Sequence, residues 1–161
     1  MKKLKPLLII LSVLLISSNL FAQSSPIQLS LWRTIQIVPE GESVGGFRLS
    51  VYGVNAGMTG LDVGIWNETR SLTQKGLQVG IVGKSLGGFQ GWQANSVNIS
   101  ANLFEGFQSG WVNHHSGRFS GLQIAIVNYA ETMNGIQLGL INFIKSGGFM
   151  PWFPIVNWAF D

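Results

Sequence analysis

The chain has 161 residues, of which 46% are hydrophobic and only 11% are charged, and its formal net charge is +3. It contains no cysteine, which excludes disulfides, thiolate metal sites and the attachment of a lipid to an N-terminal cysteine. Three of the ten basic residues lie within the first five positions, so the rest of the chain is electrically balanced and lacks the basic stripe that a nucleic-acid partner requires.

The first segment predicts a secretory signal peptide. Three lysines precede an apolar run at residues 6–15, and a small-residue cleavage site ends at Ala22. The run is about half of the ~20 residues that a membrane-spanning helix needs, which favours a cleaved leader over a retained anchor. We therefore expect residues 1–22 to be removed on export and residues 23–161 to form a single β-repeat domain.

The segment after the leader is expected to cap a repeat array. Residues 27–32 carry a degenerate copy of the repeat, and a longer excursion from Ile35 to Val44 follows, with Pro39 inside it. Repeat arrays need atypical end units because an open sheet edge would otherwise pair with other chains.

From Gly46 onward one phrase recurs: glycine, apolar residue, glutamine, any residue, small residue, two apolar residues, asparagine. The leading glycines, counted as column one, fall at positions 46, 60, 76, 91, 106, 121 and 135, so the steps are 14, 16, 15, 15, 15 and 14 residues. A period held this closely indicates one supersecondary unit copied many times.

Apolar residues occupy columns two, four and six, and this period of two predicts a strand in every copy. We expect the even columns to be buried, which places Trp92 and Trp111 in the core. A large apolar residue also lies two positions before a leading glycine in five copies, and its constant size predicts core filling. These residues are Met58, Phe89, Phe104, Phe119 and Met133.

The eighth column predicts both the end of each strand and a stack of side-chain amides. Asparagine, like Gly53 and Gly83 in two copies, adopts a left-handed turn conformation at low cost. Its amide can donate to one layer and accept from the other. The predicted structural ladder consists of Asn67, Asn98, Asn113, Asn128, Asn142 and Asn157, the last in a degenerate final copy at residues 150–157.

Two all-β folds are compatible with this pattern. The first is a parallel β-solenoid of ~15-residue coils with atypical end caps, and the alternative is a small antiparallel eight-stranded outer-membrane β-barrel. Only parallel stacking brings identical columns together. The alternation also lasts about seven residues, which is shorter than the ~9–11 of a tilted membrane strand. The pattern therefore favours the solenoid.

The repeats of residues 76–142 and the closing segment from Gly148 to Phe160 resemble those of bacterial surface-repeat proteins from spirochaetes and fusobacteria. The copy at Gly91 departs from that family's pattern, because Asn95 takes its small column and Ser96 an apolar one. The resemblance implies a location at the cell surface and carries no established activity.

We expect no catalytic, metal or cofactor site. His114 and His115 are adjacent, so their side chains should point to opposite faces and form a poor chelate, and a solvated turn explains them better. Trp66 lies in an odd column, away from the even-column face, and is the candidate ligand contact.

The sequence therefore predicts an exported envelope or surface repeat protein with a structural or interaction role. The alternatives are a small outer-membrane barrel and a carbohydrate- or partner-binding module that uses exposed aromatic residues. Association with the outer membrane or the cell surface is expected, and the pattern identifies no specific partner.

Overall fold

The computed structural model describes residues 24–160, so the predicted signal peptide lies outside the described residues. The described chain is all-β and about 81% of it is strand. None of its elements is a helix that could cross a membrane. Its nine strands are β1 (Ser24–Trp32), β2 (Ile35–Gln36), β3 (Ser43–Asn55), β4 (Gly57–Thr69), β5 (Gln74–Ser85), β6 (Phe89–Ser109), β7 (Val112–Ile124), β8 (Val127–Ser146) and β9 (Trp152–Ala159).

The strands form a parallel β-solenoid of about 8 turns with ~15-residue coils, which confirms the predicted fold class. Each strand from β3 to β7 pairs in parallel with the next, and β1 pairs in parallel with β3. The register aligns identical columns: Gly121 lies opposite Gly106 in the preceding coil and opposite Gly135 in the following coil. The antiparallel alternative is therefore not the fold of the described residues.

The even columns face outward, so the expectation that they line the core is wrong. Ile124 and Ile126 are exposed, and so are Trp92 and Trp111. The third-column glutamines and eighth-column asparagines are buried instead. The physical reason is that parallel stacking places each amide about 4.8 Å from an identical amide, so a polar column can satisfy its own hydrogen bonds inside the coil.

Much of the apolar core comes from the column that lies two positions before the leading glycine in five copies. Met58, Phe89, Phe104, Phe119 and Met133 are each at most 3% exposed, which confirms the predicted core filling. The three phenylalanine rings stack along the solenoid, with centroids 5.1 Å and 4.5 Å apart. One narrow aromatic column therefore supplies much of the dispersion energy between coils.

The leading glycines let neighbouring coils approach closely at a bend. Gly121 has a φ of +134°, a region that side-chain-bearing residues rarely adopt. A Cβ on Gly121 would also overlap the carbonyl oxygen of Gly106 in the preceding coil. The remaining leading glycines share both features, so this column is required by backbone geometry rather than by chemistry.

The two ends of the solenoid are capped differently. At the start, β2 folds back and pairs antiparallel with β1. At the end, residues 150–157 do not form another parallel coil, which corrects the sequence interpretation. Strand β9 runs antiparallel to β8 and places Asn157 opposite Gln137. Pro151 and Pro154 lack amide donors and suit such a terminating edge.

Candidate functional site

A continuous ladder of glutamine amides runs through the core. From Gln137 through Gln123, Gln108 and Gln93 to Gln78, each Nε2 donates to the Oε1 of the preceding coil over 2.7–2.9 Å. All five side chains are fully buried. Because the amides from Gln78 to Gln123 each donate and accept, the column adds directional hydrogen bonds between coils and leaves only the buried Oε1 of Gln137, at its C-terminal end, without a partner among the described residues.

The glutamine ladder ends on a buried ion pair. Gln78 Nε2 donates to Asp62 Oδ2 over 2.8 Å, and the Asp62 carboxylate accepts two hydrogen bonds from Arg48 at 2.7 Å and 2.6 Å. Arg48 also donates to the side chain of Asn55 at 3.2 Å and to the backbone carbonyl of Glu68 at 3.1 Å. Both charged side chains are 0% exposed, so each depends on the other for its solvation.

The asparagine column forms a second ladder with the opposite direction of donation. Asn98 donates to Asn113, Asn113 to Asn128, and Asn128 to Asn142, over 2.8–2.9 Å. Donation in this ladder runs toward the C-terminus, whereas in the glutamine ladder it runs toward the N-terminus. The two side-chain dipole columns therefore oppose each other within one core.

Two of the predicted ladder residues lie outside this chain of bonds. Asn67 stands between Gly53 and Gly83, and its Oδ1 contacts the hydroxyl of Ser50. Asn157 belongs to the antiparallel strand β9 and donates to the backbone carbonyl of Met150 over 2.9 Å. The structure thus joins four of the six asparagines, because a ladder needs an amide in every consecutive coil.

The two histidines occupy different environments, and a solvated turn does not describe both. His114 is exposed and stacks on Tyr129, with ring centroids 4.8 Å apart. His115 is 0% exposed; its Nδ1 lies 2.8 Å from the hydroxyl of Ser100, and its ring packs edge-on against Phe104 and Phe119. The described residues contain no group of three or more acidic, histidine or cysteine side chains placed to hold a metal.

The burial of His115 predicts a loss of stability at mildly acidic pH. Desolvation lowers the pKa of its imidazole from 6.5 to about 4, and nearby backbone groups and Glu131 oppose the shift without reversing it. Between these values the unfolded chain binds a proton that the folded chain does not, so stability present above pH 6.5 declines as the pH falls. We expect the free energy of unfolding to drop by about 2 kcal/mol from pH 7 to pH 5.

Urea denaturation of the wild type, His115→Gln and His114→Gln across this range checks the prediction. The wild type and His114→Gln should show the same pH slope, and His115→Gln a flatter one. Glu40 and Glu131 have carboxyl pKa values lowered by hydrogen bonds with Arg33 and Lys145, so their protonation acts only at still lower pH. An unchanged slope in His115→Gln would contradict the assignment.

One side of the solenoid is covered by apolar side chains, and we call it the apolar face. It consists of columns two, four, six and seven of every copy between Ile27 and Ile141, and none of these residues is buried. Within it only Tyr52, Ser96 and Ser109 carry a hydroxyl group, and no position carries a charge. Soluble monomers rarely expose a contiguous apolar patch larger than about 300–600 Å². Among the described residues, the apolar face is thus the surface that best fits contact with a partner.

Trp66, the predicted ligand contact, lies at the edge of the apolar face rather than on the opposite side. Columns six and seven both point outward where the strand bends, so Ile65 and Trp66 are exposed side by side. The indole packs edge-on against Tyr52, with centroids 5.6 Å apart, and Tyr52 packs against Trp32 at 5.1 Å. The aromatic residues therefore form a short row along the margin of the face.

The charged side chains outside the core lie away from the apolar face, and many of them are paired. Arg70 contacts Glu40 and Glu68 at 3.0 Å and 2.9 Å, and Lys145 contacts Glu131 at 2.8 Å. The solenoid is therefore an amphipathic slab with one uncharged side and one side of mixed charge.

A wide cleft opens onto the apolar face near its N-terminal end. Its volume is about 1000 Å³, and it lies where Ile35 and Ile37 rise beside Leu29, Leu49 and Val79. A second depression, of about 370 Å³, lies at the centre of the face between Ala94, Ser96, Ser109 and Trp111. Both are open features of one surface rather than enclosed catalytic cavities.

Comparison of the chain with family models, with curated proteins and with solved structures found no match. The sequence interpretation missed the pairing of Arg48 with Asp62, although both occupy column three of consecutive copies and the predicted parallel register already places them side by side. It also missed the exposed apolar face.

Proposed function

We propose that this protein is an exported envelope or surface protein with a structural or interaction role and without catalysis. The observation that carries the proposal is the uncharged apolar face, which extends across every coil of a rigid support. Such a surface binds through area and shape, whereas a catalytic centre requires polar groups that converge in a cleft.

The construction of the core supports a role as a rigid support. The glutamine ladder, the shorter asparagine ladder and the stacked phenylalanines connect neighbouring coils with directional contacts beneath the apolar face. The titratable groups in the core serve this framework: Arg48 and Asp62 neutralise each other, and His115 is held neutral by burial. The predicted leader at residues 1–22 supports export of the finished solenoid.

Fractionation of bacterial cells that express the full chain tests the proposal. We expect the protein in the envelope or the medium, with an N-terminus at Gln23 when its mass is measured. A variant that lacks residues 2–22 should remain in the cytosol and serves as the matched control. Recovery of the full chain in the cytosol with Lys2 still attached would contradict export. A hydrolytic activity that disappears in His114→Ala would contradict a purely structural role.

A further inference from the structure

We infer that the apolar face is covered by the apolar face of a second copy of this chain, in an antiparallel face-to-face dimer. The inference deepens the proposed interaction role of the same face and rests on it. Four features support it: the area of the face, its lack of charge, a knob beside a matching depression at its centre, and the balance of charge around it.

The area fits a stable dimer. The seven coils of the face that pair once β1 overhangs, at about 4.8 Å spacing and with six residues at about 3.3 Å, give a footprint of roughly 34 Å by 20 Å, or on the order of 700 Å². Stable protein interfaces bury about 800 Å² per partner. Sheets that pack face to face lie about 10 Å apart, which is the distance that interdigitated side chains of this size fill.

The chemistry of the face also suits contact with itself. A twofold interface brings the same surface patch of both copies together, so any charge near the axis would meet a like charge. The apolar face carries none, and its backbone groups are paired within the sheet. Its hydroxyls are few, and that of Ser109 already accepts a hydrogen bond from Trp92 Nε1 at 2.9 Å. Face-to-face contact therefore desolvates little that is polar.

The centre of the face carries a knob beside a hole. Trp111 is 67% exposed and stands next to the depression of about 370 Å³ that Ala94, Ser96 and Ser109 line. Trp111 lies in column six of one coil and Ser96 in column six of the coil before it. A twofold axis that runs along the strand direction between these two coils places Trp111 of each copy over Ser96 of the other. Central tryptophans that fill a pocket are typical anchors of protein interfaces.

The same axis matches the remaining coils in pairs. It places Ile81 opposite Ile126 in the next coils outward, and Ile65 opposite Leu140 in the coils beyond those, each pair in column six. Strand β3 then faces β9, and β1 is left overhanging at the margin. Leu140 and Leu31 are both exposed residues of this face, yet only Leu140 lies inside the paired area.

A lipid surface fits these observations less well. Attachment to anionic lipids draws on unpaired basic residues around an apolar face. Here Arg33, Arg70 and Lys145 are bound to carboxylates, so little positive potential surrounds the face. A fluid lipid surface also offers no fixed pocket for Trp111 and no side chain for the depression beside it. A second copy of the chain supplies both.

Sedimentation equilibrium of the protein purified from cells that express the full chain, measured without detergent, tests the dimer. The wild type is expected at twice the mass of one chain. Trp111→Asp and Leu140→Asp should each raise the dissociation constant at least 100-fold, because both place a charge inside the paired area. Leu31→Asp should change it only a few-fold, since β1 overhangs, and Leu103→Asp, on the opposite side, should leave it unchanged. Circular dichroism establishes that the variants are folded.

The orientation has a test of its own. The chain has no cysteine, so Ile81→Cys and Ile126→Cys chains can be mixed and treated with a bis-maleimide of about 10 Å, the sheet spacing. The mixture should cross-link, and either chain alone should not. A wild type that stays monomeric at 100 μM overturns the inference. So does binding to phosphatidylethanolamine–phosphatidylglycerol vesicles that Leu31→Asp and Leu140→Asp weaken equally. Neither result affects the export measured by fractionation.

Discussion

Replacement of Asp62 by alanine is expected to lower the free energy of unfolding by about 3–5 kcal/mol or to prevent folding, because it strands a buried charge. The Arg48 guanidinium is 0% exposed and directs two hydrogen bonds of 2.7 Å and 2.6 Å at this carboxylate. Gln74 and Gln78 also donate to Asp62, each over 2.8 Å, so their amides lose an acceptor as well. Urea denaturation followed by circular dichroism measures the loss.

A double variant separates the ion pair from the ladder. Arg48→Gln together with Asp62→Gln extends the glutamine column of the later coils through these two positions. The double variant has no buried charge at either position, so neither side chain needs a counter-charge. We expect it to recover most of the stability that Asp62→Ala loses, because ladders of neutral amides need no buried counter-charge. Glu131→Ala, which breaks the exposed pair with Lys145, should change the free energy of unfolding little, because solvent screens such pairs. A double variant as unstable as Asp62→Ala would show that the ion pair itself is required.

Substitution of Gly121 by alanine should destabilise the solenoid by about 2–6 kcal/mol, through two effects that add. The φ of +134° is costly for any residue with a Cβ, by about 1–3 kcal/mol. The new methyl group would also overlap the carbonyl oxygen of Gly106, and overpacking against a fixed backbone costs about 1–3 kcal/mol more. Thermal and urea denaturation provide the measurement.

Two other glycines separate these effects. Gly147 has a φ of +79° but open space around its would-be Cβ, so Gly147→Ala should show the conformational cost alone, about 1 kcal/mol. Gly41 has neither constraint, and Gly41→Ala should be neutral or slightly stabilising. Equal losses for Gly121→Ala and Gly147→Ala would mean that the close approach of neighbouring coils contributes nothing.

The outward position of the apolar face could not be derived from the repeat alone. In the copy that begins at Gly121, Leu122, Ile124 and Ile126 alternate with Gln123 and Ala125, and such a pattern says which residues share a side but not which side faces inward. The usual expectation is that the apolar side is buried. Here the narrow coil has room for stacked amides and one aromatic column, and the bulky aliphatic side chains remain outside.

The sequence by itself determined the coil length and the parallel register. Identical residue types recur in the same column only if neighbouring copies run in the same direction, and the 15-residue period sets where each coil closes. The large residue before each leading glycine likewise predicted the buried column of Phe104 and Phe119. These features are local or periodic, so they can be read directly from the sequence.

Only the tertiary structure decided which columns are buried, how the chain ends and which charges meet. A buried amide is stable only when amides in the neighbouring coils complete its hydrogen bonds, as Gln93 and Gln123 do for Gln108. The reversal of β9 depends likewise on the edge that β8 presents. Each of these features is set by contacts between coils. The energy of such a contact depends on residues in both coils, so it cannot be read from either segment alone.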